Sequence, residues 1–126
     1  MDKDLHFKGL EAFLARVPAV VLPFGKGIEE NGSWWIKFSI DIENPLAWQV
    51  VQELAHVLNY LSVNERLPTS FLPVSPPPYM NGGPRDFLSW VIECPNKEFG
   101  PGAAAEWLEG RLPDPVDDLT KWNIDD

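Results

Sequence analysis

Ten consecutive residues alternate almost without fault between apolar and polar character. Trp34, Ile36, Phe38, Ile40 and Ile42 fall on one side, and Trp35, Lys37, Ser39, Asp41 and Glu43 on the other. Successive side chains of an extended chain point to opposite faces, so a period of two predicts a strand with one buried and one wet face. Such a strand needs neighbours along its edges and a layer of other elements over its apolar side. It therefore commits the chain to a sheet covered on one face.

The flanking segments supply those parts. Leu10, Phe13, Leu14 and Val17 recur at helical spacing, with Leu5 and Phe7 extending the stripe and Pro18 ending it, which predicts a first helix over 5–17. Ala19 to Phe24 reads as a short strand, and Gly25-Lys26-Gly27 followed by Asn31-Gly32 predicts a hairpin with an eight-residue loop. Asn44-Pro45 is a helix opening: the asparagine side chain accepts from a free backbone N–H, and proline has no N–H to leave unbonded. The helix it opens is expected to reach about Ser62. Ala47, Val50, Val51, Leu54, Leu58 and Leu61 form its apolar stripe, and Gln49, Gln52, Glu53, His56 and Asn59 lie on the opposite side.

Six prolines between Leu67 and Pro84, with Gly82-Gly83, exclude a helix or a central strand there. Ser70 to Val74 fits an edge strand. Phe87 to Cys94 reads as a strand with Leu88, Trp90, Ile92 and Cys94 on one face, and a last helix spans about Ala103 to Glu109, ended by Gly110. The expected fold is α+β: a four-stranded antiparallel sheet with helices packed on one face, in the order α-ββα-ββα. The similar words Ile42-Glu43-Asn44-Pro45 and Ile92-Glu93-Cys94-Pro95 hint that the two strand–strand–helix units are a duplication.

At 126 residues with 44% hydrophobic content, the chain is expected to form one domain over 1–126, with a proline-rich loop at 67–84 and an acidic, partly ordered C-terminal arm at 111–126. Its net charge of −9 repels phosphate backbones and anionic lipid, and nowhere do three basic residues fall within five positions, so neither nucleic acid nor a membrane surface is an expected partner. Cys94 alone permits neither an intramolecular disulfide nor a cysteine-based zinc site. Met1 to His6 carries acids where a secretory leader would be basic, and no segment approaches the ~20 apolar residues of a membrane span. A cytoplasmic protein without a cofactor or metal is expected.

No phosphate-binding glycine loop with its lysine, no His-Glu-x-x-His, no Cys-x-x-Cys and no glycine-flanked serine elbow occurs. Glu53 and His56 share a helix face at i, i+3, where a carboxylate is able to orient an imidazole, but no nucleophile lies near in sequence, and a solvated face is the plainer reading. No catalytic residue is therefore assigned. Candidate contact residues come from three other features. Trp35 stands on the strand face where the pattern expects water. Tyr79 and Arg85 lie in the stiff segment around Pro76-Pro77-Pro78. Asp114, Asp117, Asp118 and Trp122 belong to the arm: from Glu93 to Asp126 nine acids face three bases, making the C-terminal quarter the negative pole.

In type, though in no transferable motif, the profile is similar to that of small acidic inhibitor and immunity proteins, which cover the active site of a basic enzyme. The leading expectation is a non-enzymatic interaction module for a protein partner with a basic surface. The alternative is a small-molecule-binding protein or minor enzyme with its pocket under the 76–86 loop. A homodimer through Trp35 is a third reading.

Overall fold

The alternation becomes strand β2 (Trp34–Asp41) in the computed structural model, which describes residues 3–41, 43–61, 69–74, 87–95, 98–113 and 116–122. Trp34, Ile36, Phe38 and Ile40 are buried in one core cluster, whereas Lys37 on the opposite face is exposed. Fully burying a side chain of this kind is worth about 1.5–3 kcal/mol, so four on one strand fix which face turns inward. β2 pairs along its whole length with β4 (Phe87–Cys94), antiparallel, from Trp34 opposite Cys94 to Asp41 opposite Phe87. β1 (Val20–Ile28) borders β2, β3 (Ser70–Pro73) borders β4, and the order β1-β2-β4-β3 is antiparallel throughout. The expected α+β sheet with helices against it is therefore the fold.

Helix α1 (Lys3–Arg16) packs on β1 and on α3 (Pro101–Glu109), burying Phe7, Leu10, Phe13 and Leu14. Lys26 Nζ on β1 donates to Glu11 Oε2 on α1 at 2.7 Å, so the lysine between the two glycines ties helix to strand. Helix α2 (Ala47–Ala55) starts after Asn44, whose Oδ1 accepts from Leu46 N–H at 2.8 Å; proline thus falls in the turn before the helix rather than in its first turn. Its apolar stripe of Ala47, Val50 and Leu54 is buried as expected. The last six residues, His56–Leu61, continue as a π-helix with Val57 and Leu58 inside.

Two side chains tie this wider turn to the start of β3. Asn59 Oδ1 accepts from Phe71 N–H at 2.7 Å and Asn59 Nδ2 donates to Phe71 O at 3.0 Å, while Thr69 Oγ1 donates to Leu58 O at 3.1 Å. The asparagine amide behaves as a one-residue strand laid along β3. Since Val74 N–H bonds inward to Ser89 O, the outer edge of β3 presents Phe71 and Pro73. The first is occupied by Asn59 and the second has no N–H, so this edge offers another strand no free donor.

β1 is longer than expected. It runs through Gly25-Lys26-Gly27 to Ile28, its pairing interrupted by an irregularity between Val21 and Gly25 that splits it into two paired segments. The turn is correspondingly tight rather than eight residues long: Gly32 N–H bonds Glu29 O, Glu29 N–H bonds Ser33 O, and Gly32 takes φ of 91°, a conformation open to glycine. At the other end of β1, Ala19 is held at φ of 71° with its carbonyl accepting from Asp41 N–H at 2.9 Å.

The described part of the arm is anchored. Trp122, in a short 3₁₀ turn (Leu119–Trp122), is buried with Leu112 and Val116 in the same core cluster, and its Nε1 donates to Val116 O at 2.8 Å. Leu112, Val116 and Trp122 together pin it, whereas Leu119 is exposed. Among the described residues no helix is long and apolar enough to cross a membrane.

Candidate functional site: a cleft on the sheet face opposite the helices

The helices cover the face carrying Trp34, Ile36 and Phe38; the opposite face of β2 carries Trp35 and Lys37. One row of register partners crosses the whole sheet there: Gly27 on β1, Trp35 on β2, Glu93 on β4 and Ser70 on β3. The Trp35 indole lies against β1, so close that a Cβ at Gly27 would meet its Nε1 at 2.6 Å and its Cε2 at 2.7 Å. Glycine at 27 is therefore what lets the indole lie down, and the indole in turn covers a strand position that has no side chain of its own.

Beside this tryptophan opens a cleft of about 420 Å³, lined by Glu29, Ser33, Trp34, Trp35, Ser70, Glu93, Cys94 and Pro95. Its volume lies within the range of small ligand sites, roughly 300–1,000 Å³. Glu29 and Glu93 are exposed, Trp35 is half-buried, and among the described residues neither carboxylate has an ion-pair partner. Cys94, by contrast, is buried with its Sγ 3.4 Å from Phe99 O, which also accepts from Trp34 Nε1 at 2.8 Å; these two belong to the cleft floor and to the core. Besides the buried Trp34 on its floor, the lining thus offers the half-buried Trp35, two carboxylates and two hydroxyls, a set suited to a cation with donor hydrogens.

The expected contact residues fare differently. Trp35 is at the cleft, with its indole lying against β1 of its own sheet. Tyr79, Arg85 and Asp114 lie outside the described residues, as does the 76–86 loop. Asp117 is exposed, with its Oδ2 3.7 Å from Arg16 Nε. Asp118 Oδ1 accepts from Thr120 Oγ1 at 2.7 Å and Thr120 N–H at 3.1 Å. These hydrogen bonds, that from the hydroxyl foremost, and then Lys121 hold its carboxyl below the usual value. Asp118 is therefore a cap for the 3₁₀ turn. Trp122, with 1% of its surface exposed, is a core residue rather than an exposed contact. Its place in an acidic segment gave no periodicity from which burial follows.

Glu53 and His56 share no hydrogen bond or ion pair; His56 stacks instead on Tyr60, centroids 5.4 Å apart and planes 17° from parallel. Glu29, Ser33, Ser70, Glu93 and Pro95 were not foreseen as a group. The only signal for them is the pairing register, which sets Glu93 opposite Trp35 across two strands far apart in sequence. Compared with protein-family models, with curated proteins and with solved structures, the chain matches none.

Proposed function

We propose that this chain is a protein-interaction module of the cytoplasm that receives a partner with a basic surface on the face of its sheet opposite the helices. The observation that carries the reading is the cleft beside Trp35, where two carboxylates without ion-pair partners among the described residues flank an aromatic side chain on a molecule of net charge −9. Negative potential speeds encounter with a basic surface, and a held aromatic beside it supplies contact area without loss of side-chain freedom. An inhibitor or immunity-type role, covering the active site of a basic enzyme, is the specific form this reading takes. A single cysteine, Cys94, which allows no intramolecular disulfide, suits a reducing compartment.

The test is affinity capture from the lysate of its own cells on immobilised wild-type chain and on the Glu29→Gln, Glu93→Gln double variant, washed at low and at moderate salt. A basic protein retained at low salt, released by moderate salt and lost on the variant is the expected result. Retention of no basic protein at low salt overturns the reading.

A further inference from the structure

We infer that the cleft beside Trp35 binds an arginine side chain. The inference rests on the interaction reading above and gives it a recognition chemistry. Trp35 is fixed against Gly27, so its indole cannot fold down further to fill the space. Glu93 is its cross-strand neighbour, Ser70 is the next residue in the same row, and Glu29 and Ser33 close the end of the cleft at the hairpin. A planar guanidinium lies on an indole and directs its forked donors sideways to carboxylates at once, whereas an ammonium is a strongly hydrated point charge without a face to stack. The molecule already uses this pairing elsewhere: the Arg111 guanidinium sits 5.0 Å from the centre of the Trp107 ring.

Other occupants fit less well. A divalent metal of the calcium type takes six to eight oxygen ligands, and the cleft offers two carboxylates and two hydroxyls. A phosphate is repelled by the same carboxylates. Lys37 is exposed two residues along β2 on the same face, so the site has a positive charge on that side and its carboxylates on the other.

The experiment titrates the full chain with capped Gly-Gly-Arg-Gly-Gly, to about 10 mM, beside the same peptide carrying lysine or citrulline. The six indole N–H resonances are followed by NMR, with that of Trp35 assigned through Trp35→Phe. The arginine peptide is expected to shift the Trp35 resonance saturably and to bind about threefold or more tightly than the lysine peptide, while the neutral citrulline peptide gives no shift. Glu29→Gln and Glu93→Gln, both at exposed positions, are each expected to weaken binding about fivefold, the other five indole resonances unchanged. Equal shifts from arginine and lysine overturn the arginine assignment in favour of a general cation site. Equal shifts from arginine and citrulline, or none from any peptide, overturn the cleft itself. A basic protein captured from lysate while no peptide moves Trp35 removes this inference and leaves the interaction reading standing. Peptide binding at Trp35 without any captured protein upholds the cleft and removes the partner.

Discussion

The indole of Trp35 rests on Gly27 of the neighbouring strand, close enough that the smallest possible side chain at position 27 would fall 2.6 Å from its Nε1. Each residue accounts for the other. A glycine inside a strand loses more chain entropy than other residues and packs nothing, and the tryptophan opposite supplies the missing apolar cover.

Gly27→Ala therefore has a definite consequence: the indole must lift, at a cost of about 1–3 kcal/mol, the range for overpacking a filled site. Gly25→Ala is the control, since a Cβ there meets its nearest neighbour, Trp35 Cζ3, at an ordinary 3.6 Å. Denaturant unfolding of both variants is expected to separate them. In the Trp35→Ala background the penalty of Gly27→Ala should disappear, and a penalty that persists there would show that something other than the indole opposes it.

The same pair marks where sequence reading stopped. Alternation in Trp34 to Glu43 and the apolar positions of Phe87 to Cys94 are local signals; β4 falls on its expected bounds, and β2 runs from Trp34 only to Asp41. Gly25-Lys26-Gly27 reads as a turn because glycine disfavours strands, and the residue that overrides the preference lies eight positions beyond Gly27 on another strand. Asn59 was assigned to water by the helical wheel, which carries no information about a strand edge that arrives later in the chain. Glu93 joins Trp35 only through register. Each miss involves a contact whose partner is set by tertiary pairing rather than by neighbours in sequence.

Asn59 offers the second prediction. Asn59→Ala removes both side-chain bonds to Phe71 and strips the β3 edge, and two hydrogen bonds of this kind carry about 1–3 kcal/mol together. Loss of stability of that size, with concentration-dependent association seen in sedimentation as the freed edge finds another strand, is expected. A variant as stable and as monodisperse as the wild type would show the amide to be incidental.

Ala19 offers a change in the opposite direction. Its φ of 71° costs a residue with a Cβ about 1–2 kcal/mol, and Ala19→Gly removes that strain while adding about 0.5–1 kcal/mol of chain entropy to the unfolded state. The net expectation is a gain of roughly 0.5–1 kcal/mol, a rise of a few degrees in melting temperature. A fall would mean that the methyl group contributes packing that outweighs the strain.

Asp118 titrates below the ordinary carboxylate value because its charged form accepts from the Thr120 hydroxyl and backbone. A carboxyl depressed in the folded chain adds stability at pH values above its unfolded value, and that contribution fades as pH falls through the folded value. Thr120→Val is expected to raise the Asp118 midpoint in a carboxyl-detected NMR titration without restoring it fully, since the Thr120 N–H remains. An unmoved midpoint would assign the depression to the Thr120 N–H and Lys121 rather than to the hydroxyl.

The arm and the cleft are expected to act on different steps of binding. Asp117 is exposed and its ion pair with Arg16 is open to solvent on both sides, a contact worth about 0–1 kcal/mol, so its charge remains available to an approaching basic surface. Charge at the rim governs encounter and is screened beyond about 10 Å at 0.1 M salt, whereas a group that touches the bound cation governs departure. Asp114→Asn with Asp117→Asn should slow association with the captured partner severalfold at low salt and hardly at all at high salt. Glu93→Gln should instead quicken dissociation at both. Surface plasmon resonance across a salt series distinguishes the two. An arm variant that changes only the off-rate would move Asp117 from the approach to the interface and shift the contact surface away from Trp35.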